Sequence, residues 1–151
     1  MALDGSEVGE AIMPFIVEIA GPLDLEVMLV RVCEPVPPTV VDSTQVLIED
    51  PEAARIDAEE YLAPLAVELR QRGIKVTTQV RRGQPADEIV KAAHESNADL
   101  IAMTTHGRSG LGRLLFGSVA ETVLRESHLP VCLMRMTEAD VARRVAQKGR
   151  P

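Results

Sequence analysis

The run Thr104-Thr105-His106-Gly107-Arg108-Ser109-Gly110-Leu111-Gly112-Arg113 continues through Leu114-Leu115-Phe116 to Gly117-Ser118. Its residue types suit the binding of phosphate. Glycines let backbone N–H groups approach anionic oxygens, and a helix beginning at Gly117-Ser118 would add unsatisfied donors and partial positive charge. Arg108 and Arg113 would supply fixed charge and forked hydrogen bonds. The spacing differs from the common P-loop, because no Gly-Lys-Ser/Thr closes it. The pattern alone does not decide the matter, since some glycine-rich strand-to-helix turns bind nothing and loop arginines are usually solvated. Ser118 reads equally as a helix N-cap, and a cap hydroxyl points to the same place as a phosphate contact. Histidine is a side chain able to titrate near neutrality, but no Ser-His-Asp order or metal spacing accompanies His106, so it reads as a loop-orienting residue. No base–nucleophile pair and no carboxylate cluster for two metals is visible, so neither catalysis nor a protein-held metal is expected.

The elements around this loop alternate in type. Leu100-Ile101-Ala102-Met103 reads as a buried strand leading into it, and Val119 to Leu124 has helical spacing beyond it. Upstream, Ala2-Leu3 is a very short apolar start ended by Asp4-Gly5-Ser6. Val8, Ile12, Phe15, Ile16 and Ile19 share one helical face closed by Gly21-Pro22. Glu26 to Val32 reads as a buried strand. Residues 33–50 are proline-rich and aperiodic, an extended excursion with a short strand or turn near Val46-Leu47-Ile48. Asp50-Pro51 starts a helix whose apolar face is Leu62, Leu65, Ala66 and Leu69. Ile74 to Val80 alternates as a strand, and Gly83-Gln84-Pro85 opens a helix with Ile89, Val90 and Ala93 inward. Pro130 to Met134 is a last strand, and Thr137 to Lys148 a polar helical tail. Strands and helices in alternation predict a parallel sheet covered on both faces, with right-handed crossovers.

The chain has 151 residues, enough for one domain with one substantial core. Aromatic residues make up only 2%, so that core must be aliphatic. A formal charge of −7 argues against nucleic-acid partners, which need basic surface. No apolar run approaches the roughly 18 residues needed to span a membrane, and the start lacks the order of a secretory signal. Cys33 and Cys132 lack neighbours at metal-ligand spacing and read as reduced thiols. A cytoplasmic protein is expected.

Several segments resemble the universal stress protein family. They are Asp4-Gly5-Ser6-Glu7, Gly83-x-Pro85, Met103 to Gly110, Gly117-Ser118-Val119-Ala120-Glu121 and His128-Leu129-Pro130-Val131. The resemblance runs in order along nearly the whole chain. It implies residues 1–136 as the family domain, with 137–151 as a helical tail. It further implies an α/β, doubly wound, five-stranded parallel sheet of order 3-2-1-4-5, with ATP held where the order reverses. Carried over by motif, Asp4 would hold the ribose hydroxyls, and Val32 would meet adenine through its backbone. Met103, Gly107 and Arg108 would lie on the sugar and phosphate side, and Gly117, Ser118 and Val119 would cap the phosphates, with Mg²⁺ bridging their oxygens. Function would then be nucleotide-dependent signalling in the stress response. The alternatives are a dimeric interaction module that binds no nucleotide, and a slow ATP hydrolase.

Two features depart from the family pattern. The family's Gly-x2-Gly-x9-Gly-Ser/Thr has Thr104 at its first glycine here. Its branched side chain would either narrow the pocket or put a hydroxyl in open space. Only Met1-Ala2-Leu3 precede Asp4, so the first strand reads as truncated, from an incomplete start or with a partner compensating. The resemblance also implies a homodimer through Val131–Met136, an apolar edge whose only charge is Arg135.

Overall fold

A computed structural model describes residues 1–35, 39–42, 45–47, 50–106, 117–136, 139, 140 and 143, leaving aside the side chains of 39–42, 45–47 and 106. Its elements in chain order are β1 (Ala2–Leu3), α1 (Glu7–Glu10), α2 (Met13–Ala20), β2 (Glu26–Cys33), β3 (Thr39–Asp42) and β4 (Gln45–Leu47). They continue with α3 (Pro51–Gln71), β5 (Lys75–Arg82), α4 (Pro85–Glu95), β6 (Ile101–His106), α5 (Ser118–Glu126) and β7 (Val131–Met136).

Local chemistry explains the boundaries. The helical face expected from Val8 to Ile19 is split into α1 and α2. Pro14 lacks the N–H that would bond to the Glu10 carbonyl, and its ring crowds that position, so the chain restarts with Pro14 in the first turn of α2. Asp50 caps α3 as expected, its Oδ1 accepting from the Glu52 N–H at 2.9 Å. Ala58, Leu62, Ala66 and Leu69, at spacings of four, four and three, are its buried stripe. In the proline-rich excursion, β3 and β4 pair antiparallel as a small hairpin.

The major strands are parallel. β1 pairs β2 at Ala2↔Val30 and Leu3↔Arg31, β2 pairs β5 over all eight residues, and β6 pairs β7 over six. The hydrogen-bonded ladder is interrupted, giving the groups β1-β2-β5 and β6-β7 where one continuous sheet was expected. The break lies where β1, only two residues long, runs beside β6 without a ladder. Both groups nevertheless feed the same two cores. Leu3, Leu29 and Ala102 pack with Ile12, Ile16, Leu62 and Leu69 on one side. Ala2, Ile101 and Met103 pack with Ile89, Ala93, Ala120 and Val123 on the other. Alternation along each strand sends neighbours to opposite faces, which makes this an α/β sandwich. Among the described residues no helix is long and apolar enough to cross a membrane.

Candidate functional site

At the carboxyl ends of β1, β2 and β6 lies a cavity of about 750 Å³. Such crevices are where open α/β sheets bind ligands, and the volume falls in the small-molecule range. Asp4, Val32, Met103, Gly117, Ser118 and Val119 all line it, although they are scattered over more than a hundred positions of sequence. Gly107 and Arg108, the other two residues of the expected site, lie outside the described residues, as do Arg113 and the His106 side chain.

The Asp4 wall is internally tied. Asp4 Oδ1 accepts from the Ser6 backbone N–H at 3.0 Å and from the Ser6 hydroxyl at 2.6 Å. Ser6 Oγ in turn accepts from the Gly9 N–H at 2.9 Å, capping α1. Ordinary Asp-Gly-Ser turn chemistry and a place on the cavity wall therefore coexist in Asp4. Gly9 is required by this geometry, because a Cβ there would come within 2.4 Å of Asp4 Oδ1. Gly5 is required too: its φ is +82°, and a Cβ would lie 3.1 Å from the Arg31 guanidinium.

Arg31 stands over the Tyr61 ring, with Cζ 5.8 Å from its centroid, within range of a cation–π contact. The Tyr61 hydroxyl is buried and makes no hydrogen bond of ordinary geometry among the described residues. Burial pushes its pKa well above the usual phenol range, the Glu10 and Asp4 carboxylates add to the rise, and Arg31 opposes it. This tyrosine stays neutral through the physiological range.

Backbone direction places Val32. The Val30 N–H donates to the Met1 carbonyl at 2.9 Å, so by the two-residue period the backbone groups of Val32 point to that same edge of β2. There the paired part of β1 ends at Leu3. Met103 differs in that its side chain, while lining the cavity, is buried in the core with Ile89, Ala93 and Val123.

The α5 wall has another character. Gly117, not Ser118, is the N-cap residue, because ψ of 152° keeps Gly117 extended and makes Ser118 the first helical residue. Among the described residues no side chain caps this helix, and Ser118, Val119 and Ala120 at its start line the cavity. Their N–H groups have no acceptor within the helix, whose first bond runs from the Glu121 N–H to the Gly117 carbonyl. The Gly117 N–H donates to Thr105 Oγ1 at 3.1 Å, joining the end of β6 to the start of α5. Thr104 turns its hydroxyl away to the Gly9 carbonyl, donating at 3.1 Å.

Sequence reasoning missed Arg31, Tyr61 and Thr105. Arg31 immediately precedes Val32 at the end of β2, a charge in an otherwise apolar run, and Tyr61 is the only tyrosine of the chain. Those were the available signals. Among the described residues no group of three His, Cys, Asp or Glu could hold a metal ion.

The model of the universal stress protein family matches residues 1–135. The chain belongs to that family. Universal stress protein MJ0531 of Methanocaldococcus jannaschii is 36% identical over 135 residues, covering 87% of this chain and 78% of the relative. A solved universal stress protein from Archaeoglobus fulgidus superposes with a TM-score of 0.67 at 27% identity, covering 87% of this chain and 93% of that one. A universal stress protein solved in complex with cAMP gives 0.65 at 23% identity, with coverages of 89% and 93%.

Proposed function

We propose that this universal stress protein binds ATP in the cavity at the ends of β1, β2 and β6, and that occupancy alters its conformation or partners during the stress response. One observation carries the reading: the uncapped start of α5 and the Asp4 carboxylate line the same cavity. A helix start without its own cap is suited to phosphate, and a fixed carboxylate is suited to ribose hydroxyls. The nature of the relatives supports it, since solved proteins of this fold hold cAMP, dAMP or AMP. In this reading the Val32 backbone meets adenine, Met103 floors the sugar, and Ser118 and Val119 present N–H groups to phosphate. Gly107 and Arg108 belong to the same phosphate side. Mg²⁺ would accompany the nucleotide, bridging its phosphate oxygens.

The finer architecture belongs to the same proposal. The order β5-β2-β1-β6-β7 makes one five-stranded layer with β1 at its centre, because β1 touches both β2 and β6 and both strand groups share two cores. The protein acts in the cytoplasm as a binding module, not as an enzyme, with hydrolysis incidental. β7, paired only to β6 among the described residues, is then the edge through which two copies join, which light scattering at micromolar concentration tests.

Heating the purified protein and assaying the supernatant for adenine nucleotide, followed by calorimetric titration with ATP, tests the main reading. Co-purified nucleotide or a saturable heat is expected. Silence at millimolar ATP would leave the chain as an interaction module of the same fold. Metal-dependent turnover would favour a hydrolase.

A further inference from the structure

Thr104 stands where the family pattern has its first glycine, and it lines the cavity. A branched residue there would be an obstruction if its side chain faced the ligand. Its hydroxyl instead donates to the Gly9 carbonyl at 3.1 Å, across 95 positions of sequence. Gly9 is the residue at which a Cβ would come within 2.4 Å of Asp4 Oδ1, and its N–H is held by Ser6 Oγ, which also bonds to Asp4. The tie joins β6 to α1, the first helix after β1. A change at Thr104 is therefore felt at Asp4 through one intervening residue.

We propose that Thr104 is a positioning residue that fixes the Asp4 turn through Gly9, and so sets the site's affinity for the ribose of its ligand. The hydroxyl holds β6 against α1, the helix that carries Gly9. The consequence is a site in which the threonine strengthens ligand binding, the opposite of what its bulk would suggest. The affinity arm of this inference rests on the nucleotide reading, whereas the placement of the Asp4 turn does not.

Three variants separate positioning from obstruction. Thr104→Val keeps the shape and loses the hydroxyl, Thr104→Ser keeps the hydroxyl and loses a methyl, and Thr104→Gly restores the family residue. Calorimetry with ATP is expected to show a loss of about tenfold for Val and Gly, the size of one part-buried hydrogen bond, and near wild-type affinity for Ser. Tighter binding by Gly and Ser with Val unchanged would overturn the inference. A second readout needs no ligand. Amide hydrogen exchange at Ser6 and Gly9, whose N–H groups bond within the Asp4 turn, is expected to quicken severalfold in Thr104→Val and to stay at the wild-type rate in Thr104→Ser. If wild-type protein fails to bind ATP, the nucleotide reading falls and the exchange rates alone decide. Unchanged exchange in Thr104→Val would then refute the positioning role.

Discussion

The Asp4 turn and the start of α5 line one cavity, but they meet it with opposite hydrogen-bonding states. Asp4 already accepts two bonds from Ser6, Gly9 leaves no room for a Cβ beside its carboxylate, Thr104 holds Gly9, and Arg31 lies between Gly5 and the Tyr61 ring. Among the described residues the start of α5 has no capping side chain, and the Gly117 N–H ties it to Thr105 of β6. One wall is organised before a ligand arrives, and the other keeps donors in reserve. A wall of the first kind lowers the ordering cost of binding, while one of the second kind supplies bonds that form only with the ligand. Specificity for the sugar should therefore reside at Asp4, and specificity for charge at α5.

The largest effect is expected from breaking the organised wall at its centre. Asp4→Ala removes the carboxylate and releases Ser6. Losing charge-assisted hydrogen bonds to the ribose should weaken both adenosine and ATP by roughly 2–3 kcal/mol, or about 30- to 150-fold. Calorimetry with the two ligands in parallel checks the point. A loss confined to ATP would place Asp4 on the phosphate side and dissolve the division between the walls.

The same division explains how far the sequence could be read. Asp50, with Pro51 behind it, announced the start of α3, and the apolar spacing of Leu62, Ala66 and Leu69 announced its buried face, because cap and period are local signals. Asp4 and Gly117-Ser118, singled out by the motif, do line one cavity. The helix split at Ala11-Ile12 was readable in principle from Pro14, but the apolar face running from Val8 to Ile19 masked it. The ties to Asp4 were not readable. Thr104 reaches Gly9, and Arg31 reaches Tyr61, by side-chain directions that depend on how the strands pack. A sequence pattern records that Thr104 is not glycine, and only the fold shows where its hydroxyl goes.

A middle-sized effect with two signs is expected at the other wall. Gly117 has φ of −55°, so other residues fit its backbone, and a Cβ there would meet only Thr105 Oγ1 at 3.8 Å. Gly117→Asp should cap α5 and raise unfolding free energy by roughly a few tenths of a kcal/mol. The same carboxylate would occupy the donors and repel phosphate, so ATP affinity should fall about tenfold or more while adenosine is held almost unchanged. Thermal melts and paired titrations read both. A variant that is more stable and binds ATP as well as before would show that these donors do not serve phosphate.

The smallest effect tests how far the organised wall extends. Tyr61 contributes a ring face to Arg31 and a buried hydroxyl with no ordinary hydrogen bond among the described residues. If only the ring matters, Tyr61→Phe keeps the stack over which Arg31 lies and discards a polar group that burial penalises. The change in stability should then stay within about 0.5 kcal/mol, and ATP affinity within about twofold. Tyr61→Leu removes the ring and frees Arg31 from one side, so Gly5 and Asp4 lose their outer support and affinity should fall further than in Phe. The order Phe then Leu identifies a packing role, because a side chain serving only as apolar filler would tolerate both. A Phe variant that binds as poorly as Asp4→Ala would mean that the phenol itself touches the ligand, and the organised wall would then have to include α3 as a contact surface in its own right.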